Sequence, residues 1–182
     1  ESECGGNSRF TAGAIRCVYD GVDDLKELMP DLSESEIANT DFGTYTEEKF
    51  FDDMGRVTEY RTDPDLCELL VKKSRETIRW MRGKGVRFQP IYGRQAFKVD
   101  GKFKFWGGVP IVTWGGGVGL VDALYKSAEK KGIEVRYGAW VQDLLVREGK
   151  VVGVMARIDG VLQPVEARGV VLGCGGFEAN TE

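Results

Sequence analysis

The 182-residue chain carries 25 Lys and Arg against 29 Asp and Glu, a formal charge of −4, and contains no histidine. These mixed charges form no basic stripe for nucleic acid or an anionic surface, no stretch approaches the roughly 20 apolar residues of a membrane span, and the missing imidazole excludes Ser-His and Cys-His pairs and histidine metal ligands. Cys4, Cys17, Cys67 and Cys174 are scattered without C-x-x-C spacing, which favours a reduced, cytoplasmic setting over a disulfide framework or a zinc site.

The chain opens on "ECGGNSRFTAGAIR". Gly5 and Gly6 are followed by the polar Asn7 and Ser8, and Thr11, Ala12 and Gly13 keep the next turn narrow. Such a loop suits a pyrophosphate or a flavin edge held by backbone N–H groups, and it equally suits an ordinary turn. Helices are predicted next. Ser33 with Glu36 and Thr44 with Glu47 read as capping boxes, the second opening a helix to about Thr58 with Phe50, Phe51, Met54 and Val57 on one face. Asp63 as N-cap and Pro64 at the first helical position start a longer helix, with Leu66, Leu70, Ile78 and Met81 at helical spacing and Gly83 or Gly85 at its end.

From Val86 to Trp114 the pattern becomes short aromatic-rich strands with a hairpin turn at Asp100-Gly101. A glycine run, Gly115 to Gly119, precedes a predicted helix from about Leu120 to Lys131 and a strand near Ile133 to Tyr137. Three alternating segments, Trp140 to Arg147, Val151 to Ile158 and Val161 to Ala167, with turns at Glu148-Gly149 and Asp159-Gly160, predict an antiparallel meander. Gly169 to Leu172 reads as a short buried parallel strand leading into the glycines of "GCGGFEAN".

The glycine clusters carry the candidate chemistry. "TWGGGVGLVDAL" misses the dinucleotide fingerprint, because Leu120 stands where the third glycine belongs, and it lacks the Gly-Lys-Ser/Thr of a Walker loop. It reads first as a tight start to a helix, with direct cofactor contact as the alternative. Gly173 to Gly176 follow a predicted strand, where ligands of open parallel sheets gather, or else form a plain strand exit.

Three stretches, "GGNSRFTAGAIR", "GGGVGLVDALYKSAEKKGIEVRYGAWVQDLLVREGKVVGVMARIDG" and "EARGVVLGCGGFEANTE", together resemble the FAD-binding domain of the fumarate reductase/succinate dehydrogenase flavoprotein family. "YTEEKFFDDMGRVTEYRTDPDL" and "WMRGKGVRFQP" look most like its tricarballylate dehydrogenase branch. The resemblance implies an α/β fold with α+β elements: a partial FAD/NAD(P)-binding, Rossmann-like domain with an antiparallel β-meander, lacking the N-terminal G-x-G-x-x-G βαβ unit. It implies an internal piece of a larger flavoprotein, with a capping domain following, and a partition into a flavin and pyrophosphate loop (1–20), a helical and short-strand insertion (21–114), and a helix, meander and parallel strand (115–182).

Position by position, the resemblance implies that Gly5, Gly6, Asn7 and Ser8 lie along the FAD pyrophosphate and flavin, with Thr11, Ala12 and Gly13 continuing past the ring. It implies that Val141 holds adenine through its backbone, and that Cys174, Gly175 and Gly176 pass close to the cofactor. The resemblance implies that the catalytic residues lie outside these segments, which leaves them unassigned here; Arg9, Arg16, Arg94 and Lys98 are cations of use to a polycarboxylate, or structural charges. The implied function is oxidation or reduction of a C–C bond beside a carboxylate or carbonyl, on a small polycarboxylate, with an electron-transfer partner and a homo-oligomer as further expectations. The competing expectation is a non-catalytic α/β module serving as a nucleotide-binding or assembly scaffold.

Overall fold

Short strands and helices alternate through the first three quarters of the chain and then give way to a meander. The computed structural model describes residues 3–175, which fall into two units, Cys4–Glu134, and Val135 onward together with Glu3. The first unit holds a 3-10 turn (Gly6–Phe10), β1 (Ala14–Ile15), α1 (Val22–Leu28), α2 (Glu34–Ala38), β2 (Thr40–Asp41), α3 (Glu47–Thr58) and α4 (Pro64–Gly83). It continues through β3 (Phe88–Pro90), α5 (Tyr92–Gln95), β4 (Ala96–Val99), β5 (Lys102–Phe105), β6 (Ile111–Thr113) and α6 (Gly116–Lys130). The second unit holds β7 (Trp140–Arg147), β8 (Lys150–Ile158) and β9 (Val161–Glu166).

Local signals place most helix ends. Ser33 and Glu36 form the reciprocal capping box that starts α2, and Asp63 accepts the Leu66 N–H at 2.9 Å, with Pro64 first in α4. One cap differs from expectation: Thr46, not Thr44, caps α3, accepting the Lys49 N–H at 3.3 Å. On α3, Phe50 is buried and Phe51 and Met54 pack against the core, but Val57 is 70% exposed.

The face of α4 also differs. Leu66 and Leu70 face solvent, while Cys67, Val71, Ser74 and Ile78 form the buried seam. Small side chains let the helix approach its neighbours, and Ser74 earns its place by a specific bond: its hydroxyl accepts the Val18 N–H at 3.0 Å and donates to the Val71 carbonyl at 2.8 Å. Tertiary fit here overrides the leucine spacing. The helix ends at Gly83, and Gly85 takes the left-handed conformation just beyond it.

The core of this unit gathers Leu25 and Leu28 of α1, Met29, Val71 and Ile78 of α4, Val86, Phe88 and Ile111. Each such side chain contributes about 1.5–3 kcal/mol relative to exposure. Two three-stranded sheets frame it. In one, β6 is central, antiparallel to β1 and β3; in the other, β5 runs parallel to β2 and antiparallel to β4. The β4-β5 hairpin turns at Asp100 and Gly101, both at positive φ, as two-residue hairpin turns require.

In the second unit β7, β8 and β9 form the expected antiparallel meander, with the predicted turns at Glu148-Gly149 and Asp159-Gly160. Pro164 lies on the edge strand β9, where a missing N–H is tolerated. Two strand expectations are corrected. Residues 133–137 form no strand, and residues 169–172 form none either, with Val171 94% and Leu172 69% exposed. An apolar run becomes a buried parallel strand only beside a hydrogen-bonding neighbour, and no strand among the described residues pairs with either segment. The architecture is mixed α/β, as expected. No described helix is long and apolar enough to cross a membrane.

Candidate functional site

The opening loop and the glycine run after β6, more than a hundred residues apart in sequence, close on each other. Contrary to the predicted start at Leu120, α6 begins at Gly116, because tertiary contacts hold the glycines in the helix. The Gly117 N–H donates to the Thr11 carbonyl at 2.9 Å, satisfying a donor of the first helical turn. A Cβ on Gly117 would fall against the Ser8 carbonyl oxygen and within 2.7 and 2.8 Å of those of Arg9 and Thr11. Glycine is therefore what allows loop and helix to meet.

A second clasp lies one step along. The Thr113 N–H donates to the Gly13 carbonyl at 2.9 Å, and the Thr113 hydroxyl donates to the Gly116 carbonyl at 2.7 Å. Gly13 is buried at φ +77, and a Cβ there would strike Thr113 Oγ1 and the Gly116 backbone. On the loop's near side, a Cβ on Gly5 would lie 2.8 Å from both Val121 methyls. Arg9 adds a 3.4 Å ion pair to Asp122 of α6 and donates to the Cys4 sulfur at 3.6 Å.

These clasps divide the sequence-predicted residues by what they face. Gly5 and Gly13 pack against protein, whereas Gly6, at φ +46, meets no atom within 4 Å of a Cβ position. Asn7, Ser8, Thr11 and Ala12 are exposed. Thr11 steadies the turn, its hydroxyl donating to the Ser8 carbonyl at 3.1 Å and accepting the Gly13 N–H at 3.2 Å. The 3-10 turn begins at Gly6 with no side-chain cap, and N–H groups of a first turn lack intrahelical partners. Open glycine backbone, uncapped donors and two polar side chains suit an anionic or heteroaromatic cofactor edge.

The other predicted residues belong to the second unit. Val141 sits half exposed on β7, an edge strand, beside a register shift between Val141 and Asp143. Cys174 is an exposed free thiol, and Gly175 has φ +76 with open space around it. Gly176 lies outside the described residues. All four cysteines are free, and burial pushes the Cys17 thiol up to about 12, which keeps it protonated and unreactive.

Sequence reasoning missed Gly117 and Thr113 as architects of the loop. Their signal, a Thr-x-x-Gly-Gly string after a strand, acquires meaning only when the carbonyls of residues 8 to 11 are in view. Arg16 is structural: its Nη1 donates to Asp53 at 2.6 Å and to the Tyr45 hydroxyl at 2.8 Å, and Tyr45 donates to the same carboxylate at 2.7 Å. Lys98 lies 4.8 Å from the Phe103 ring centre.

Residues 32–182 match the FAD binding domain family. The chain belongs to that family, and its cofactor is FAD. It is similar to the fumarate reductase (cytochrome) of Shewanella frigidimarina, 24% identical over 186 residues, covering 100% of this chain and 29% of that protein. It is also similar to the NADH:acrylate oxidoreductase of Vibrio harveyi, 32% identical over 120 residues, covering 65% of this chain and 12% of the relative. The structure of the open conformation of a flavocytochrome c3 fumarate reductase superposes with a TM-score of 0.63 at 21% identity, over 91% of this chain and 26% of that one. The chain thus spans between 12% and 29% of the length of these relatives. Its sequence is that of an FAD-binding domain, similar to those of fumarate reductase-like flavoenzymes.

Proposed function

We propose that the chain is the cofactor-bearing part of an oxidoreductase that oxidises or reduces a C–C bond next to a carboxylate or carbonyl, of the fumarate reductase/tricarballylate dehydrogenase type. The observation that carries this reading is the cradle. Gly117 ties the opening loop to the first turn of α6 and Gly13 ties it to Thr113 at the end of β6, which leaves Gly6, Asn7, Ser8 and Ala12 open on one side. Family membership and relatives named for fumarate and acrylate, both unsaturated carboxylates, support it.

FAD, when bound, supplies hydride transfer. The chain's own residues hold and orient it: Gly6, Asn7 and Ser8 along the pyrophosphate and flavin, Thr11 and Ala12 past the ring, Gly5 and Gly13 by shaping the loop, Val141 by its backbone on the open side of β7, and Cys174, Gly175 and Gly176 by close approach. The partition at 20/21 and 114/115, the Rossmann-like character, a cytoplasmic setting, self-association and an electron-transfer partner belong to the same reading.

The test uses the complete flavoprotein under anaerobic conditions. Tricarballylate is expected to bleach the oxidised flavin absorbance, or fumarate or acrylate to restore it after chemical reduction. A flavin that responds to none of these, nor to a 3-ketosteroid, contradicts the reading.

A further inference from the structure

A cavity of about 260 Å³ opens beside the cradle, walled by Ala12 of the opening loop, Gln89 and Pro90 of β3, Ile91, Val112 of β6 and Arg94 of α5. Its floor is fixed. Ile91 and Val112 are buried, and the Ile91 N–H is bonded to the Pro110 carbonyl at 3.0 Å. Tyr92 contributes its ring as wall, because its hydroxyl is engaged with Thr40 Oγ1 at 3.0 Å and its ring packs on Phe103 and Phe105.

Arg94, like Arg82, is without an acidic partner among the described residues of the first unit, but Arg94 alone of the two lines this cavity. Arg9, Arg16, Arg75, Arg79 and Arg87 each meet an acid, Asp122, Asp53, Asp24, Glu27 and Asp31 respectively. A guanidinium without an acidic partner at the mouth of this mixed polar and apolar pocket presents two parallel donors that match a carboxylate. The volume admits a molecule of a few carbons rather than a drug-sized ligand.

We propose that Arg94 is the anchor for one carboxylate of a small substrate held in this cavity, next to Ala12. The inference rests on the oxidoreductase reading and adds to it a named binding residue. The carboxylate lies bidentate on Arg94, and the carbon chain covers Pro90, Ile91 and Val112. Ala12 places that carbon chain beside the opening loop.

The experiment titrates fumarate into the oxidised, FAD-loaded complete protein by calorimetry, with fumaramide as the uncharged counterpart. Wild type is expected to bind fumarate and not fumaramide. R94Q is expected to weaken fumarate binding about ten- to fifty-fold, R94K by less, and the exposed-charge control R82Q by less than about twofold, all with FAD content unchanged. Equal binding by R94Q and wild type, or of fumaramide and fumarate by wild type, overturns the assignment, and the second comparison needs no variant to fold. A protein that holds no FAD instead defeats the underlying oxidoreductase reading, so the two failures are told apart.

Discussion

Gly117→Ala is expected to lower stability by about 1–3 kcal/mol, the range for forcing a methyl into a filled site, and to cut FAD affinity at least about tenfold. The added methyl meets three backbone carbonyls, from Ser8, Arg9 and Thr11, and no rotamer change can move it away. Either α6 retreats or the loop lifts, and the Gly117 to Thr11 hydrogen bond stretches with it. Val118→Ala, on the exposed side of the same turn, is expected to change stability by less than about 0.5 kcal/mol. Gly6→Ala separates the two roles. Its methyl enters open space at φ +46, so the variant pays only about 1–2 kcal/mol of left-handed backbone strain and stays folded while losing cofactor affinity. Flavin absorbance and urea denaturation read these outcomes; unchanged FAD binding in Gly117→Ala would show that the clasp does not shape the site.

The second large effect is expected at Asp53. This carboxylate, a quarter exposed, receives Arg16 at 2.6 Å, Tyr45 at 2.7 Å and Arg56 at 2.8 Å. It ties the chain after β1 to α3, and the Tyr19-Tyr45 bridge holds the same point. Asp53→Asn keeps the shape and removes the charge, so it is expected to cost about 1–3 kcal/mol. The hydrogen bond from Arg56, then that from Tyr45, and the neighbouring Arg16 charge hold the Asp53 carboxyl below the usual carboxylate range. A folded-state value below the unfolded one, about 3.9, gives stability that is fully present above the unfolded value and lost as pH falls through the folded one. The difference between wild type and Asp53→Asn is therefore expected to be constant from pH 7 to about pH 5 and to shrink below about pH 4. A difference that grows on acidification would contradict the network.

Where local chemistry decides, the sequence is readable. Asp63-Pro64 and Ser33 with Glu36 start helices because caps act within three residues. The meander follows from two X-Gly turns whose first residues, Glu148 and Asp159, accept positive φ. Where distant contacts decide, spacing misleads. Cys67 and Ser74 are quiet letters in a leucine pattern, yet they form the seam of α4 because small residues permit close packing. Residues 169–172 are apolar enough for a strand but lack a pairing edge among the described residues.

The candidate site divides along the same line. Composition and resemblance pointed to Gly5 through Gly13, and the structure groups those residues in one cradle. Why each glycine is there was not legible. Gly5 and Gly13 answer to Val121 and Thr113, partners more than ninety residues away, and Gly117 answers to carbonyls that lie in the opening loop. Arg94 was one cation among four until the pairing of its neighbours and the cavity beside Ala12 set it apart.

The central claim, that the clasped opening loop is a flavin cradle, is tested most directly by titrating FAD into the apo form of the complete protein and into its Gly6→Ala variant, following flavin fluorescence. The account predicts saturable one-to-one binding by the wild type and affinity reduced at least about tenfold in a variant that stays folded, with stability lowered only by about 1–2 kcal/mol of backbone strain. Equal affinity of the two proteins, both folded, would contradict it.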